Sequence, residues 1–336
     1  MDRRKFKSTL LQAIKIAVGS SMGIYIAELL NLQYATSVGG IVLLTVITTK
    51  RETLKLSLAR VLTFVIAALL GGFIYTYLND DWIGYGIFLF LIVMICGLLG
   101  WKATISVNAL IGLHFLTEGD FNMQLVFNEF CLLLIGIVLA ILLNLIYDYR
   151  SQQKEIVKNM CYTEQQLQMI LEGVAAYLSN KNMQKNLWDD IHDLEAKLKL
   201  FVAYAYEYQE NTLKPHARYY ADYFEMRSMQ IYIIHSLHSE LRKIRTMPEQ
   251  AKVVAEYLFY LTDYVTEVNV PTEQIDKLNQ IFKDMEKAPL PQSWGEFETR
   301  ALLFHILMDI EEFLKTKKRF VEALDEKQLK MYWNKI

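Results

Sequence analysis

Six apolar stretches fill the first 150 residues of the chain, and none follows them. They lie at roughly 9–30, 34–49, 61–78, 83–100, 103–117 and 125–147. A helix needs about 20 apolar residues to cross a bilayer, and most of the stretches approach that length. Six such segments, with hardly a charge between their ends, do not fit in the core of a soluble domain of this size. The pattern predicts six membrane spans.

Outside the apolar stretches, the basic residues of the first 150 positions are confined to alternate flanks. Lys and Arg occur on the first, third, fifth and seventh flanks, whereas the second, fourth and sixth carry acidic or neutral residues such as Asp80, Glu118 and Glu129. Because Lys and Arg are retained in the cytoplasm, both termini are predicted to be cytoplasmic. The first stretch lacks a small-x-small cleavage site, so we expect it to remain as a helix instead of being removed as a secretory signal.

The remainder of the chain reads as consecutive amphipathic helices. Their predicted limits are near 151–179, 182–211, 215–246, 248–268, 272–287 and 293–320, with a short helix afterwards. Prolines at predicted helix starts are Pro215, Pro248 and Pro271. Pairs with capping-box spacing are Thr246 with Glu249 and Ser293 with Glu296. The predicted fold is all-α: a six-span membrane helix bundle (1–150), followed by a cytoplasmic antiparallel helical bundle (151–336) that folds on its own.

Charge and motifs argue against several functions. The net charge of −2 divides into +2 for residues 1–150 and −4 for the rest, so neither half has the basic excess of a nucleic-acid binder. The three cysteines form no CxxC pair and indicate no disulfide framework. Phosphate-loop, dinucleotide, zinc-protease and nucleophile-elbow motifs are absent from the sequence. We therefore expect no enzyme, no cofactor and no metal; His235 and His238 lack further ligands.

The second and fifth stretches are short, and each begins with small polar residues. Each is the middle helix of three, so residues 1–150 can consist of two inverted three-helix repeats. Short middle segments in such repeats mark a transport site. Chance similarity is the alternative.

Gly19 and Gly23 form a GxxxG in the first stretch, which indicates close helix packing within the bundle or across a dimer.

Six residues are candidates for a transport path: Arg51, Arg60, Lys102, Thr104, Asn108 and His114. The three cations flank cytoplasmic ends, where they would attract organic anions or simply set topology and contact lipid headgroups. The two polar residues four apart in the fifth stretch either line a path or form interhelical hydrogen bonds. The histidine can titrate near neutral pH and carry protons, or bond a neighbouring carbonyl.

Tyrosines are concentrated around the turn at Lys214 and Pro215. At a corner between helices such residues usually form core, with their hydroxyls at its edge. The alternative is a pocket for an aromatic or anionic effector, for which Tyr219, Tyr223 and Arg227 are the candidates.

Two runs in the tail carry a family resemblance: YADYFEMR at 220–227 and PLPQSWGEFETRA at 289–301. They resemble the carboxy-terminal domain of the aromatic acid exporter family of Firmicutes, and the first half is similar to that family's six-helix membrane domain. Trp294 and Gly295 stand where such proteins often have a charged residue before Glu-Phe-Glu, which puts the start of that helix in question. The resemblance implies export of aromatic carboxylates, as in distant fusaric-acid-resistance-type efflux proteins. A remote similarity to plant aluminium-activated malate transporters implies homodimers that enclose an anion path.

The sequence therefore predicts a plasma-membrane exporter or channel for small organic anions, with a cytoplasmic domain for dimerisation or gating. Its expected partners are the lipid bilayer, these anions and a second copy of the chain. The alternative is a membrane-anchored scaffold or sensor whose helical tail binds a partner. Polar residues inside the spans favour transport, whereas the long tail is compatible with the alternative.

Overall fold

The computed structural model describes residues 3–78, 80–118, 121–145, 150–180, 187–244 and 248–333. Within these ranges every regular element is a helix, so the predicted all-α class is confirmed there. The chain divides into two compact units. One comprises Met1–Asp148 with Glu210–Leu213, and the other comprises Tyr149–Gln209 with Lys214–Ile336.

The described part of the first unit, called the membrane unit below, has two short α-helices among longer ones. The helices are α1 (Arg3–Leu29), α2 (Ser37–Val46), α3 (Lys50–Tyr77), α4 (Asp81–Leu98), α5 (Ile105–Glu118) and α6 (Met123–Leu145). Thr9–Leu29 of α1 and the whole of α3, α4 and α6 are long and apolar enough to cross a membrane. With 10 and 14 residues, α2 and α5 are about 15 and 21 Å long, against a hydrocarbon core of about 30 Å. The described residues thus contain four helices long enough to span the membrane, where hydropathy predicted six.

Local backbone geometry shortens the second and fifth stretches. Before α2, Tyr34 adopts a left-handed φ of 58°, so the helix begins at Ser37. Before α5, Gly100 has a φ of 73° and Trp101 N–H donates to the Cys96 carbonyl at 2.8 Å. This is a Schellman ending of α4, for which glycine is suited. A 3₁₀ turn at Lys102–Thr104 then precedes α5.

Helix pairing in the membrane unit has the pattern that a three-helix repeat predicts. Helix α2 packs on α1 and α6, and α5 packs on α4 and α3. If α1, α2 and α3 correspond to α4, α5 and α6, the contacts of α2 correspond to those of α5. The GxxxG surface of α1 is used inside this bundle. A Cβ atom on Gly23 would lie 2.7 Å from Val38 Cγ1 and 3.2 Å from Leu139 Cδ1, on α2 and α6.

The second unit, called the tail unit below, continues with amphipathic helices. They are α7 (Arg150–Asn180), α8 (Leu187–Asn211), α9 (Tyr219–Leu241), α10 (Glu249–Thr262), α11 (Thr272–Glu286), α12 (Trp294–Glu322) and α13 (Glu326–Tyr332). The predicted helix start at Pro215 was four residues early, because the chain turns at His216, which has a φ of 60°. Pro248 and Pro271 directly precede α10 and α11. The cap predicted at Thr246 lies outside the described residues.

The start of α12 keeps its cap despite Trp294 and Gly295. Ser293 Oγ accepts from Glu296 N–H at 3.2 Å, as the capping-box spacing predicted. The Glu296 carboxylate accepts from Gln292 N–H at 2.9 Å, one residue earlier than in a regular box. Trp294 and Gly295 are therefore accommodated within the first turn of α12.

We expect residues 150–336 to fold when expressed alone, because the tail helices share one buried apolar cluster that includes Leu167, Val174, Leu194 and Leu307. The fragment should begin at 150, since Gln153 Nε2 donates to the Tyr220 hydroxyl at 2.9 Å. Helical circular dichroism and cooperative urea unfolding are the measurements. A fragment of residues 187–336, without α7, should aggregate; aggregation of both would count against independent folding.

Candidate functional site

Helix α2 carries buried polar contacts at both of its ends. At its carboxyl end Thr45 contacts Arg60 of α3, and at its amino end Ser37 contacts His114 of α5. We call the first the arginine cluster (Ile41, Leu44, Thr45 and Arg60) and the second the histidine cluster (Tyr34, Ser37, His114, Asn128 and Glu129).

The Arg60 guanidinium is 1% exposed and binds the last turn of α2. Its Nη1 donates to the Thr45 hydroxyl and, at 3.4 Å, to the Ile41 carbonyl, while Nη2 donates to the Leu44 carbonyl at 3.2 Å. A cation at the carbonyl end of a helix complements the helix dipole. The Nε–H donor is buried and has no hydrogen-bond partner among the described residues.

Buried polar side chains extend from Arg60 towards the start of α3. Thr53 and Ser57 precede Arg60 by seven and three positions, so the three share one helix face. Thr53 Oγ1 accepts from Asn144 Nδ2 of α6 at 2.8 Å and lies 2.9 Å from Thr48 Oγ1. A polar stripe therefore connects the beginning of α3 with the arginine cluster.

Asn108 of α5 supplies a second buried donor without a partner. Its side chain is 1% exposed, and Nδ2 has no hydrogen-bond partner among the described residues. Ile111, one turn beyond Asn108, and Phe64, one turn beyond Arg60, belong to the same apolar cluster. Because residues three or four apart share a helix face, Asn108 and Arg60 lie on the faces of α5 and α3 that contribute to this cluster.

The other predicted path residues lie in different surroundings. Thr104 is buried, but its hydroxyl donates to the Trp101 carbonyl at 2.8 Å and lies 3.3 Å from Cys96 Sγ. Lys102 is exposed and Arg51 is half-buried at the start of α3. Arg60 lies nine residues beyond Arg51, about 14 Å along the helix. The structure thus separates one interior cation from two nearer the ends of helices.

His114 contacts the carboxylate of Glu129 of α6. His114 Nδ1 lies 2.8 Å from Glu129 Oε2, and the two residues are 6% and 2% exposed. Ser37 Oγ lies 3.0 Å from His114 Nε2, and the Tyr34 ring stacks on the imidazole with centroids 4.1 Å apart. Asn128 Nδ2 donates to Glu129 Oε1 at 3.3 Å. His114 therefore contacts a carboxylate and a hydroxyl, where the sequence left a proton path and a bond to a carbonyl as alternatives.

Sequence reasoning placed Glu129 on an outer flank and missed this pair. A signal was present, because Glu129 follows the first residue of the predicted span by four positions, inside an apolar run. Ionisable residues in such positions usually face the bundle interior and have a function.

Tyr223 and Arg227 meet in a buried network of the tail unit. Arg227, 1% exposed, donates to Glu164 at 3.0 Å, to the Tyr223 hydroxyl at 3.1 Å and to Gln230 at 2.9 Å. The Tyr223 hydroxyl donates to the same Glu164 oxygen at 2.8 Å. Burial opposes the charge of Arg227, but Tyr223 and Glu164 together raise its pKa above the ordinary value. The guanidinium therefore stays charged.

Tyr219 belongs to an adjoining set of contacts. Its hydroxyl donates to the Glu267 carboxylate at 2.5 Å and accepts from Trp333 Nε1 at 3.1 Å. Burial raises the pKa of Glu267. Burial, and then the charge of Arg227, lower the pKa of Lys317 to about 7, and Lys317 Nζ donates to the Glu267 carbonyl at 2.5 Å.

The cavity beside this network is small. It is lined in part by Arg227, Gln230 and Lys317 and has a volume of about 10 Å³, about enough for one water molecule. The three predicted effector residues thus lie close together, but their polar atoms bond one another and their neighbours. An effector would have to displace those bonds.

Within the described residues, no group of three or more His, Cys, Asp or Glu side chains is arranged to hold a metal ion. His235 Nδ1 lies 3.9 Å from Glu195 Oε2, and its ring centroid is 4.9 Å from that of His192. The side chain of His238 lies outside the described residues.

Comparisons with known proteins match both halves of the chain. Residues 9–147 match the family described as "Aromatic acid exporter family member 1", and residues 153–318 match the "Putative aromatic acid exporter C-terminal domain". The "Uncharacterized protein YqjA" of Bacillus subtilis (strain 168) is 28% identical over 325 residues, which cover 95% of this chain and 98% of that protein. A solved structure, "Crystal structure of putative membrane protein from Clostridium difficile 630", is 22% identical with a TM-score of 0.45; the match covers 51% of this chain and 99% of that one.

Proposed function

Because the chain belongs to the aromatic acid exporter family and is a multi-pass membrane exporter, we propose that it exports small organic anions, aromatic carboxylates among them. The observation that carries this proposal is two buried donors of the membrane unit, Arg60 Nε and Asn108 Nδ2, which have no hydrogen-bond partner among the described residues. Both are N–H groups, which bind acceptor oxygens such as those of carboxylates.

The charge of Arg60 strengthens the argument. A cation inside a membrane domain is costly and usually marks an ion or substrate pathway. The described acceptors around Arg60 are one hydroxyl and two carbonyl oxygens, which leave its positive charge formally unneutralised. An anion 4 Å away would gain about 4 kcal/mol at an effective dielectric constant of 20. This suffices for transient binding of a carboxylate in an otherwise apolar bundle.

In this proposal all six helices of the membrane unit cross the bilayer. Helices α2 and α5 are too short to do so alone, but irregular backbone is tolerated at membrane depth where protein surrounds it. Short middle helices in two repeats mark the transport site of many secondary transporters. The arginine cluster at the end of α2, together with Asn108 near the start of α5, would be that site.

The proposed topology places both termini in the cytoplasm, because every Lys and Arg outside the predicted apolar stretches of residues 1–150 lies on the flanks assigned there. We expect a reporter fused after Asp80 to give an external signal and one fused after Lys102 to give a cytoplasmic signal. Alkaline phosphatase activity and green fluorescence of matched fusions measure the two sides. A cytoplasmic signal after Asp80 would exclude this orientation.

Residues 151–336 would then form a cytoplasmic domain for dimerisation or gating. The proposal of a homodimer draws support from the remote similarity to dimeric malate transporters. Light scattering of the purified full-length protein measures the number of copies.

Transport is tested with purified protein in liposomes. We expect uptake of benzenesulfonate and benzoate above that of protein-free liposomes, and slower uptake of malate. Benzenesulfonate is the decisive probe, because it stays charged and does not cross lipid as a neutral acid. Benzyl alcohol serves as the neutral control. Absence of uptake for all three anions would exclude the proposal and favour a membrane-anchored scaffold.

A further inference from the structure

The His114–Glu129 pair is buried, and neighbouring side chains contact both of its members. The two side chains come from α5 and α6, lie almost fully buried, and approach within 2.8 Å. Ser37, at the start of α2, contacts the second ring nitrogen at 3.0 Å, and Asn128 occupies the second carboxylate oxygen at 3.3 Å. Both ring nitrogens and both carboxylate oxygens therefore have partners.

Other ionisable groups surround the pair at this end of the unit. The Tyr34 hydroxyl donates to Glu118 at 3.0 Å, and Glu118 is exposed at the end of α5. On the adjoining helices, Tyr75 of α3 and Tyr85 of α4 donate to backbone carbonyls of α5, at 3.2 and 3.4 Å. Glu28 near the end of α1 is exposed. These described neighbours are thus tyrosines, which bond carboxylate or carbonyl oxygens, and carboxylates at exposed helix ends.

Two protonation states fit the geometry. With neutral imidazole, Nδ1–H donates to the carboxylate, Nε2 accepts from the Ser37 hydroxyl, and the pair carries a charge of −1. When one proton binds at Nε2, that nitrogen donates to Ser37 Oγ and the pair becomes neutral overall. A net charge in an apolar interior is costly, so the charge difference separates the two states in energy.

We propose that the His114–Glu129 pair is a proton-binding site that couples anion export to the proton gradient. This inference rests on the proposed function and adds that the proton is the coupling ion of the exporter. One proton binds the pair from the outer side and leaves on the inner side as one anion moves outward.

Helix α2 supplies the physical link between proton and anion. Its first residue, Ser37, changes from hydrogen-bond donor to acceptor when the proton binds. Its last turn holds Arg60 through Ile41, Leu44 and Thr45. A rigid helix of 10 residues thus joins the two clusters, so a shift at one end is transmitted to the other.

The test uses the full-length protein in liposomes, with benzenesulfonate as the probe. Exchange of labelled probe without a pH gradient reports the anion path, and accumulation under a pH gradient reports coupling. The proton and the anion together move two charges, so the membrane potential is held at zero; for one proton per anion, one pH unit then supports about tenfold accumulation in the wild type. Glu129→Gln and His114→Gln should retain exchange but lose accumulation. Asp81→Asn, which changes an exposed carboxylate at the start of α4, should retain both, and Glu129→Asp should restore part of the accumulation.

The possible outcomes separate this inference from the proposed function. Wild-type exchange without gradient-driven accumulation would overturn proton coupling and leave anion transport standing. Full accumulation by Glu129→Gln would overturn the assignment to this pair. Wild-type protein that exchanges no probe would overturn both. Gel filtration and circular dichroism establish that each variant is folded before transport is compared.

Discussion

Replacing Arg60 by Gln should raise the half-saturating concentration of a transported anion about 10- to 100-fold. A hydrogen bond to a charged group contributes about 1.5–3 kcal/mol, and each 1.4 kcal/mol corresponds to a factor of ten. The effect should persist at high salt, because Arg60 is 1% exposed and salt screens buried charges little. Initial rates of benzenesulfonate uptake into liposomes, at a series of concentrations, measure it.

Arg51→Gln and Lys102→Gln are the matched controls. These cations lie half-buried and exposed, so they can only concentrate anions near the mouth of the path. Their smaller effects should disappear at high salt, since the Debye length falls from about 10 Å at 0.1 M to about 3 Å at 1 M. Arg60→Lys retains the charge without the planar fork and should be intermediate.

Asn108→Leu removes the second unpaired donor without changing a charge, and we expect it to lower the maximal flux. The interpretation fails if Arg60→Gln transports normally at normal membrane abundance. It also fails if the three cation variants share one salt dependence. Either outcome would leave Arg60 as a residue that only holds α3 against the end of α2.

The position of Arg60 shows which features of a buried charge hydropathy predicts and which it does not. The sequence placed Arg60 on a cytoplasmic flank, before the predicted span at 61–78. In the structure, flank and span form one helix, Lys50–Tyr77, and the buried face at Thr53, Ser57 and Arg60 continues into Phe64. The helical spacing of these residues was visible in the sequence. The partner was not, because the carbonyls that Arg60 binds lie on α2 and become available only when the helices pack.

The difference between local and long-range contacts also explains why the cap at Ser293 was predicted and the histidine cluster was not. Ser293 and Glu296 interact within one turn, so local spacing was enough to predict the cap. His114 and Glu129 are 15 residues apart on different helices, and Ser37 is 77 residues from His114. A single sequence records the polarity of each helix but not which helices meet. Buried ionisable residues were therefore predictable as interior groups, whereas their pairing was not.

The tail network leads to the second large effect. Replacing Arg227 by Met should lower the free energy of unfolding of the 150–336 fragment by about 3–5 kcal/mol, because Glu164 would lose its partner inside the domain. Glu164, Tyr223 and Gln230 all bond the guanidinium. Urea unfolding followed by circular dichroism measures the change. Arg218→Gln is the control, since Arg218, directly before α9, is largely exposed and pairs with Asp222 of that helix, so its loss should change stability little.

A second substitution distinguishes an ion pair from mere packing. If the loss arises from an unpaired carboxylate, Glu164→Leu combined with Arg227→Met should recover much of the stability, because replacing a whole buried pair with apolar groups is often nearly neutral. If the double variant is instead as unstable as the sum of the two single variants, the network acts through shape, and the charge of Arg227 is not what holds α7 to α9. Recovery would also mean that this charge can be removed from a folded domain. The full-length double variant would then show whether transport depends on the charge that sequence reasoning assigned to an effector pocket.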